Sequence, residues 1–448
     1  MLCRSSQKCV RRLAPFCFQS FAPRLRWALQ AWLLAALTSA AFAQTLARPG
    51  WNGSGFNADP WWNHAVFYEV RTGSYPTSSQ GLEFKAVTAK LDALQSLGID
   101  ALILPMPALP VQAQAVQAQL GSMAGPSLPD AGLDDFDELM RQASSRSIRV
   151  LLTFPDARIT SALSPVARFW LSRGVSGFLV VRQPGASAQD EQSAVQVLRA
   201  IVNSAVGGRI VISDFDPNAN GSSAPSLPTT RDENGGGADR SGKPAGAQLQ
   251  VDSRMGQLEL PGAASLRFVL AQSLLQPNLL LDTHPLATRG NSPDPYSTLA
   301  KAMAAIALTT HAAALIDADE SLALQADAQP AVPADATLAD WYRKLAALHH
   351  GNATLRYGSV TTIDEDGQNA LVWAIRPASA SALAPPIVVV CNLSSSQVQL
   401  SLTAAMKGLN LHGSFLRPLL RSYEAMGAQN LDAVTIPAFG VFIGELRR

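Results

Sequence analysis

The feature that most constrains this chain is an alternation of short apolar runs and amphipathic segments that begins near residue 64 and continues to residue 349. His64–Val70 (HAVFYEV) reads as a strand. Lys85–Leu97 places Val87, Leu91, Leu94 and Leu97 on one helical face. Ile99–Leu104 is a continuous apolar run, as expected of a strand buried on both faces. The pattern repeats with a helix at Leu133–Ala143, its first turns acidic in favour of the helix dipole, and a strand at Ile148–Phe154. A helix follows with Pro165 in its opening turn, then a strand at Val175–Val181, a helix at Glu191–Val206 and a strand at Arg209–Phe215. Strands at Leu249–Val251, Asn278–Asp282 and Ala313–Asp317 precede helices at Ala264–Leu275, Tyr296–Thr310 and Ala339–His349. Eight strands in this rhythm predict an α/β chain with a closed (β/α)8 barrel rather than an open sheet. No G-x-G-x-x-G follows any of these strands, so a dinucleotide-binding fold has no local support.

After Gly358 the period changes to strand alternation at Val360–Ile363, Ala370–Ile375, Ile387–Asn392, Val398–Leu402 and Val434–Ile443, which predicts an antiparallel β-domain over 359–448. Residues 216–247 are rich in Gly, Ser, Pro and Asn and read as a flexible insertion in the barrel region, 44–358. Pro107–Pro129 is a second soft stretch.

Residues 1–43 carry six basic and no acidic side chains, and an apolar run from Trp27 ends in Ala41-Phe42-Ala43. This reads as a cleaved signal peptide rather than a membrane anchor, so the mature chain is expected to be secreted or periplasmic, without a membrane span. The remaining residues hold 29 basic and 34 acidic side chains, a balance that argues against nucleic-acid binding. Three of the four cysteines (Cys3, Cys9, Cys17) lie in the leader, which leaves Cys391 without an intramolecular disulfide partner in the mature chain.

Several segments carry a family resemblance. Trp61–Tyr68 (WWNHAVFY), the run from Leu91 to Leu104, Leu133–Leu152, Phe169–Phe178 (FWLSRGVSGF), Leu315–Glu320 (LIDADE) and Tyr342–Gly358 (YRKLAALHHGNATLRYG) resemble the α-amylase superfamily, glycoside hydrolase family 13. The resemblance spans about residues 59–448. It implies a (β/α)8 barrel with a C-terminal antiparallel β-sandwich, and α-glucans or oligosaccharides as the ligand class.

The chemistry of that family rests on two carboxyl groups about 5–5.5 Å apart, a nucleophile and a general acid. After the fourth strand the family pattern G-F-R-x-D is here Gly177-Phe178-Leu179-Val180-Val181, so Leu179 takes the arginine position and Val181 the nucleophile position. The general-acid position falls at Asp214, one methylene shorter than the family's Glu. In the family's N-H-D pattern His284 is kept and the third acid becomes Pro285, with Arg289 just beyond. Thr153–Arg158 replaces the pattern after the third strand and leads almost directly into the next helix, leaving no room for the family's inserted domain. The resemblance therefore implies Asp214 as the surviving catalytic carboxyl and His284, Arg289 and Tyr68 as sugar-contacting residues.

Each has a plainer reading. Asp214 is equally a polar strand end, and Asp216 is either a second carboxyl or an exposed loop residue. His284 is either a sugar ligand or structural. Trp61, Trp62 and Tyr68 either stack on a sugar or close the bottom of the barrel. Asp317, Asp319 and Glu320 are either a metal cluster or a solvated loop. His349 and His350 read as a solvated helix end, because adjacent side chains on a helix diverge. No metal or cofactor is called for. The loss of several catalytic motifs predicts a degenerate, sugar-binding barrel. A protein-binding scaffold similar to the amylase-like heavy chains of amino-acid transporters, and an active α-glycosidase with displaced carboxylates, are the alternatives.

Overall fold

The computed structural model describes residues 60–70, 77–78, 81–82, 84–107, 130–154, 160–181, 188–215, 247–256, 258, 261–275, 278–283, 295–310, 313–317, 336–363, 369–378 and 384–448. The leader, the expected flexible insertion and most of the Pro107–Pro129 stretch lie outside these residues. Asp59–Arg448 forms one compact unit.

Eight parallel strands close into a barrel. They are β1 (Val66–Glu69), β2 (Ala101–Pro105), β3 (Arg149–Phe154), β4 (Gly177–Val180), β5 (Ile210–Phe215), β6 (Leu249–Asp252), β7 (Leu279–Asp282) and β8 (Ala313–Asp317). Closure is made by β1 and β8, with Val66 in register with Ala314 and Glu69 with Asp317. Around the barrel lie α1 (Phe84–Ser96), α2 (Asp130–Ser145), α3 (Thr160–Ser172), α4 (Ala188–Ser204), α5 (Ala263–Leu274), α6 (Pro295–Thr309) and α7 (Ala336–Gly351). The (β/α)8 expectation holds. Among the described residues every strand except β5 is followed by a helix, the β5–β6 connection lying outside them.

Strand periodicity divides the side chains into two layers. Ala65, Phe67, Ala101, Ile103, Leu151, Leu179, Ile210, Ile212, Leu249, Val251, Leu280, Ala313 and Leu315 fill the lumen. Their neighbours along each strand, such as Val66, Tyr68, Leu102, Val150, Phe178 and Val211, face the helices and join a larger core with the buried stripes of α1 (Phe84, Val87, Leu91, Leu94) and the other helices. Both faces of every barrel strand are thus buried, which is why the strands read as continuous apolar runs. The helix α5 buries Leu266, Val269, Leu270 and Ser273, while Phe268 and the C-cap Leu275 are exposed.

Two glycines are required by close approach. Gly98 ends α1 at φ +82°, accepting the left-handed turn that lets Ile99 N–H reach back to Leu94 O, and a Cβ there would lie 2.7 Å from Ala346 Cβ on α7. At Gly177 a Cβ would collide with the Ile210 carbonyl of the neighbouring strand.

Following the short helix α8 (Ala353–Tyr357), β9 (Ser359–Ile363), β10 (Ala370–Arg376), β11 (Ile387–Asn392) and β12 (Val398–Leu400) precede α9 (Thr403–Gly408), β13 (Phe415–Arg421), β14 (Gln429–Asn430), β15 (Val434–Ile436) and β16 (Val441–Arg447). Six of these strands form an antiparallel sheet in the order β9-β10-β11-β16-β13-β14, and β12 pairs with β15. Leu371, Trp373 and Ile375 of β10 join the core shared with the barrel, while Ala370, Val372 and Ala374 pack with Val398, Leu400, Val434 and Ile436. The sheet is therefore sandwiched.

Three expectations about elements need correction. The predicted strand Val434–Ile443 is two strands, β15 and β16, because Pro437 and Phe439 at φ +52° interrupt it. Pro165 lies inside α3 rather than in its opening turn, at the cost of one helical hydrogen bond. The strand β13 was not anticipated; Pro418 and a register shift between Pro418 and Leu420 hide its alternation.

Candidate functional site at the barrel rim

Extending the lumen-facing alternation by one step toward the C-terminal ends of the strands brings Glu69, Pro105, Thr153, Val181, Asp214 and Asp282 to the rim. This end of a (β/α)8 barrel is where loops and strand ends build binding sites. Asp214 follows Ile212 by two residues and so faces the axis, half-buried, in register with Val251. Asp282 follows Leu280 in the same way and is buried at 3% exposure. Glu69 follows Phe67 and is half-buried. Described lumen-facing carboxylates therefore come from β1, β5 and β7, whereas β2, β3 and β4 offer Pro105, Thr153 and Val181.

The β4–β5 register sets which side chains meet at this rim. Leu179 pairs with Ile212 and Val180 with Ser213, which brings Val181 level with Asp214 one residue further on. Neighbouring strands lie about 4.8 Å apart. Two carboxylates at these positions would match the separation used in retaining glycoside hydrolysis. The β4 member is a valine that packs against the lumen core. Leu179, where the resemblance expects an arginine, is itself 3% exposed within that core.

Tyr68, expected to contact sugar, is corrected: its ring is fully buried between barrel and helices, on the opposite face of β1 from the lumen. Trp61 and Trp62 close the N-terminal end of the barrel. Trp62 joins the lumen core, and Trp61 donates from Nε1 to the Gly208 carbonyl at 2.7 Å while the Arg149 guanidinium lies 4.3 Å over its ring. Burial holds the Arg149 guanidinium below its ordinary value, against the opposing pull of Asp100. His284, Pro285, Arg289, Asp216, Asp319 and Glu320 lie outside the described residues, as does the Asp317 side chain. Among the described residues no three His, Cys, Asp or Glu side chains form a metal-binding group. No described helix is long and apolar enough to cross a membrane.

The two histidines of α7 are also corrected. His349 is buried, with Nδ1 2.9 Å from Leu308 O and Nε2 3.0 Å from His64 O. His350 Nε2 lies 2.8 Å from Asp100 Oδ2, which also accepts from Val66 N–H at 2.9 Å. The helix end they occupy is packed under the barrel floor, and the two rings reach different neighbours.

Sequence reasoning also missed Asp252, Arg254 and Ser273. Asp252 faces away from the lumen with no exposed surface and receives Arg254 Nε at 2.8 Å, Arg254 NH2 at 2.6 Å and Ser273 Oγ at 2.6 Å. Burial pushes its carboxyl up, but the hydrogen bonds from Arg254 and Ser273 outweigh it and hold the group below its ordinary value. This network ties β6 to α5. Glu69 and Asp282 were also missed, because both faces of their strands are apolar and only the barrel register shows which one lines the lumen.

No family model matches the chain. Trehalose-6-phosphate hydrolase of Escherichia coli (strain K12) is 35% identical over 95 residues, 20% of this chain and 17% of that protein. An alpha-glucosidase of Pediococcus pentosaceus is 33% identical over 103 residues, again 20% and 17%. The chain thus matches well under a fifth of either relative's length. The structure of isomaltulose synthase from Erwinia rhapontici NX5 superposes with a TM-score of 0.60 at 14% identity, over 88% of this chain and 100% of that one. The isomaltulose synthase of Protaminobacter rubrum gives 0.60 at 13% identity, over 87% and 100%. The fold is shared with these isomaltulose synthases: a closed (β/α)8 barrel followed by an antiparallel β-domain. The packing residues around the lumen are in place, and Leu179 and Val181, the positions to which the sequence resemblance assigns an arginine and a nucleophile, are part of that apolar packing.

Proposed function

We propose that this chain is an exported α-amylase-type protein that binds α-glucosidic sugars at the barrel rim without hydrolysing them. The observation that carries this reading is Val181 level with Asp214 on adjacent strands. Valine cannot form a glycosyl ester, and loss of a nucleophile costs on the order of 10⁴-fold or more in rate. Asp214 retains a carboxylate that can accept hydrogen bonds from sugar hydroxyls. The ligand class is supported by relatives and neighbours whose names refer to α-glucosides, and export by the leader sequence.

The test is calorimetric titration of the purified chain with sucrose, isomaltulose, trehalose and maltooligosaccharides. Saturable heat without continuing turnover, lost in Asp214→Ala, is the expected result. Continuing heat that disappears in Asp214→Ala identifies an active glycosidase and overturns the proposal. Silence across all four also overturns it and turns the search to a protein partner.

A further inference from the structure

His349 sits where four parts of the fold meet. It is in the last turn of α7, and its ring reaches the C-terminal turn of α6 through Leu308 O and the turn before β1 through His64 O. The next residue, His350, reaches Asp100 at the entry to β2. Both partners of the His349 ring are carbonyl oxygens, which only accept. A neutral imidazole has one ring proton to donate and therefore satisfies one of them. A second ring proton would satisfy both, but would place a cation in a site with almost no exposed surface.

The charged and titratable groups around the ring come from every neighbouring element. His64 lies on the turn before β1, Asp100 precedes β2, and His350 follows on α7. Arg149 begins β3 and feels Asp100. Arg356 on α8 donates to the His350 carbonyl at 3.4 Å. The α6 side presents the Leu308 carbonyl. Desolvation dominates this balance. It pushes the His349 imidazole down to about 4, aided by His350 and opposed by the His64 carbonyl and by Asp100.

We propose that His349 is an acid-sensitive latch between the last barrel helix and the barrel floor. In its neutral form the buried ring packs α7 against α6 and the 61–64 turn and donates its single ring proton to one of the two carbonyls. Uptake of one proton from solvent converts imidazole to buried imidazolium and releases the helix. The consequence passes to the C-terminal sheet, because α7 leads through α8 directly into β9.

The experiment follows the melting temperature of the full chain from pH 7.5 to 4.5 for the wild type, His349→Gln and His350→Gln. The folded-state value lies below that of an exposed histidine, near 6.5, so the unfolded chain binds more protons between the two. Stability from this group is complete above about pH 6.5 and is lost as pH falls toward 4. Wild type and His350→Gln are expected to lose several degrees between pH 6.5 and 4.5, whereas His349→Gln melts lower at neutral pH but follows a flatter profile. A His349→Gln profile as steep as wild type overturns the latch. Should that variant fail to fold, ring-nitrogen NMR of ¹⁵N-histidine-labelled wild type decides. A buried ring titrating below pH 5, in step with the loss of stability, supports the proposal. Titration of that ring near or above 6.5 refutes it.

Discussion

Leu179 of β4 sits in register with Ile212 of β5, and both side chains are buried in the barrel lumen. The position to which the α-amylase resemblance assigns an orienting arginine is part of an apolar layer. Replacing Leu179 by Arg would push a guanidinium into that layer, level with Ile212 and one lumen-facing step below Asp214 on the paired strand. A buried unpaired charge costs on the order of 3 kcal/mol or more. Urea unfolding of Leu179→Arg should show a loss of that size, and a change below about 1 kcal/mol would mean that the lumen admits water or a counter-charge at this level.

Val181 is only half-buried, so Val181→Asp should fold. It is expected to leave stability within about 1 kcal/mol and yet not restore hydrolysis on its own, because the neighbouring position still carries Leu179 in place of the orienting arginine. Release of glucose from sucrose or maltotriose by this single variant would show that the remaining rim is catalytically competent.

The Asp252–Arg254 pair is a stability element. Arg254→Met leaves a buried carboxylate without its bidentate partner and should cost about 3–5 kcal/mol. The double variant Asp252→Asn/Arg254→Met should recover a large part of it, and double-mutant unfolding measures the coupling. The sign of its pH dependence follows from the lowered carboxyl. Stability from Asp252 is present above the unfolded-state value near 4 and is lost as pH falls through the lower folded-state value. Acid unfolding of the double variant should therefore be less steep below about pH 4.

Gly98 carries both a left-handed backbone and a close approach to Ala346. Gly98→Ala should lose at least ~1–2 kcal/mol from the backbone alone. Pairing it with Ala346→Gly should return only the steric part, which thermal unfolding of the two variants separates.

The barrel was legible because its strands are buried on both faces and its helices carry apolar stripes, signals that survive in β2, β8 and α1 almost residue for residue. The rim was half legible. Asp214 and Val181 followed from a motif, but Glu69 and Asp282 needed the lumen register, and Tyr68 was misplaced because a strand's two faces cannot be told apart when both are apolar. His349 was read as solvated from its place at a helix end, although the pairing of α7 with the barrel floor decides its surroundings. β13 escaped because a proline and a bulge erase the alternation that marks a strand.

The contact between His350 and Asp100 spans 250 residues of sequence. The barrel floor cannot be sealed until almost four-fifths of the chain has been made. At ~5–20 residues per second of synthesis, Asp100 waits roughly 12–50 seconds for its partner. For most of that interval β1 also lacks β8, the strand that closes the barrel, and its apolar edge stands open as a template for pairing.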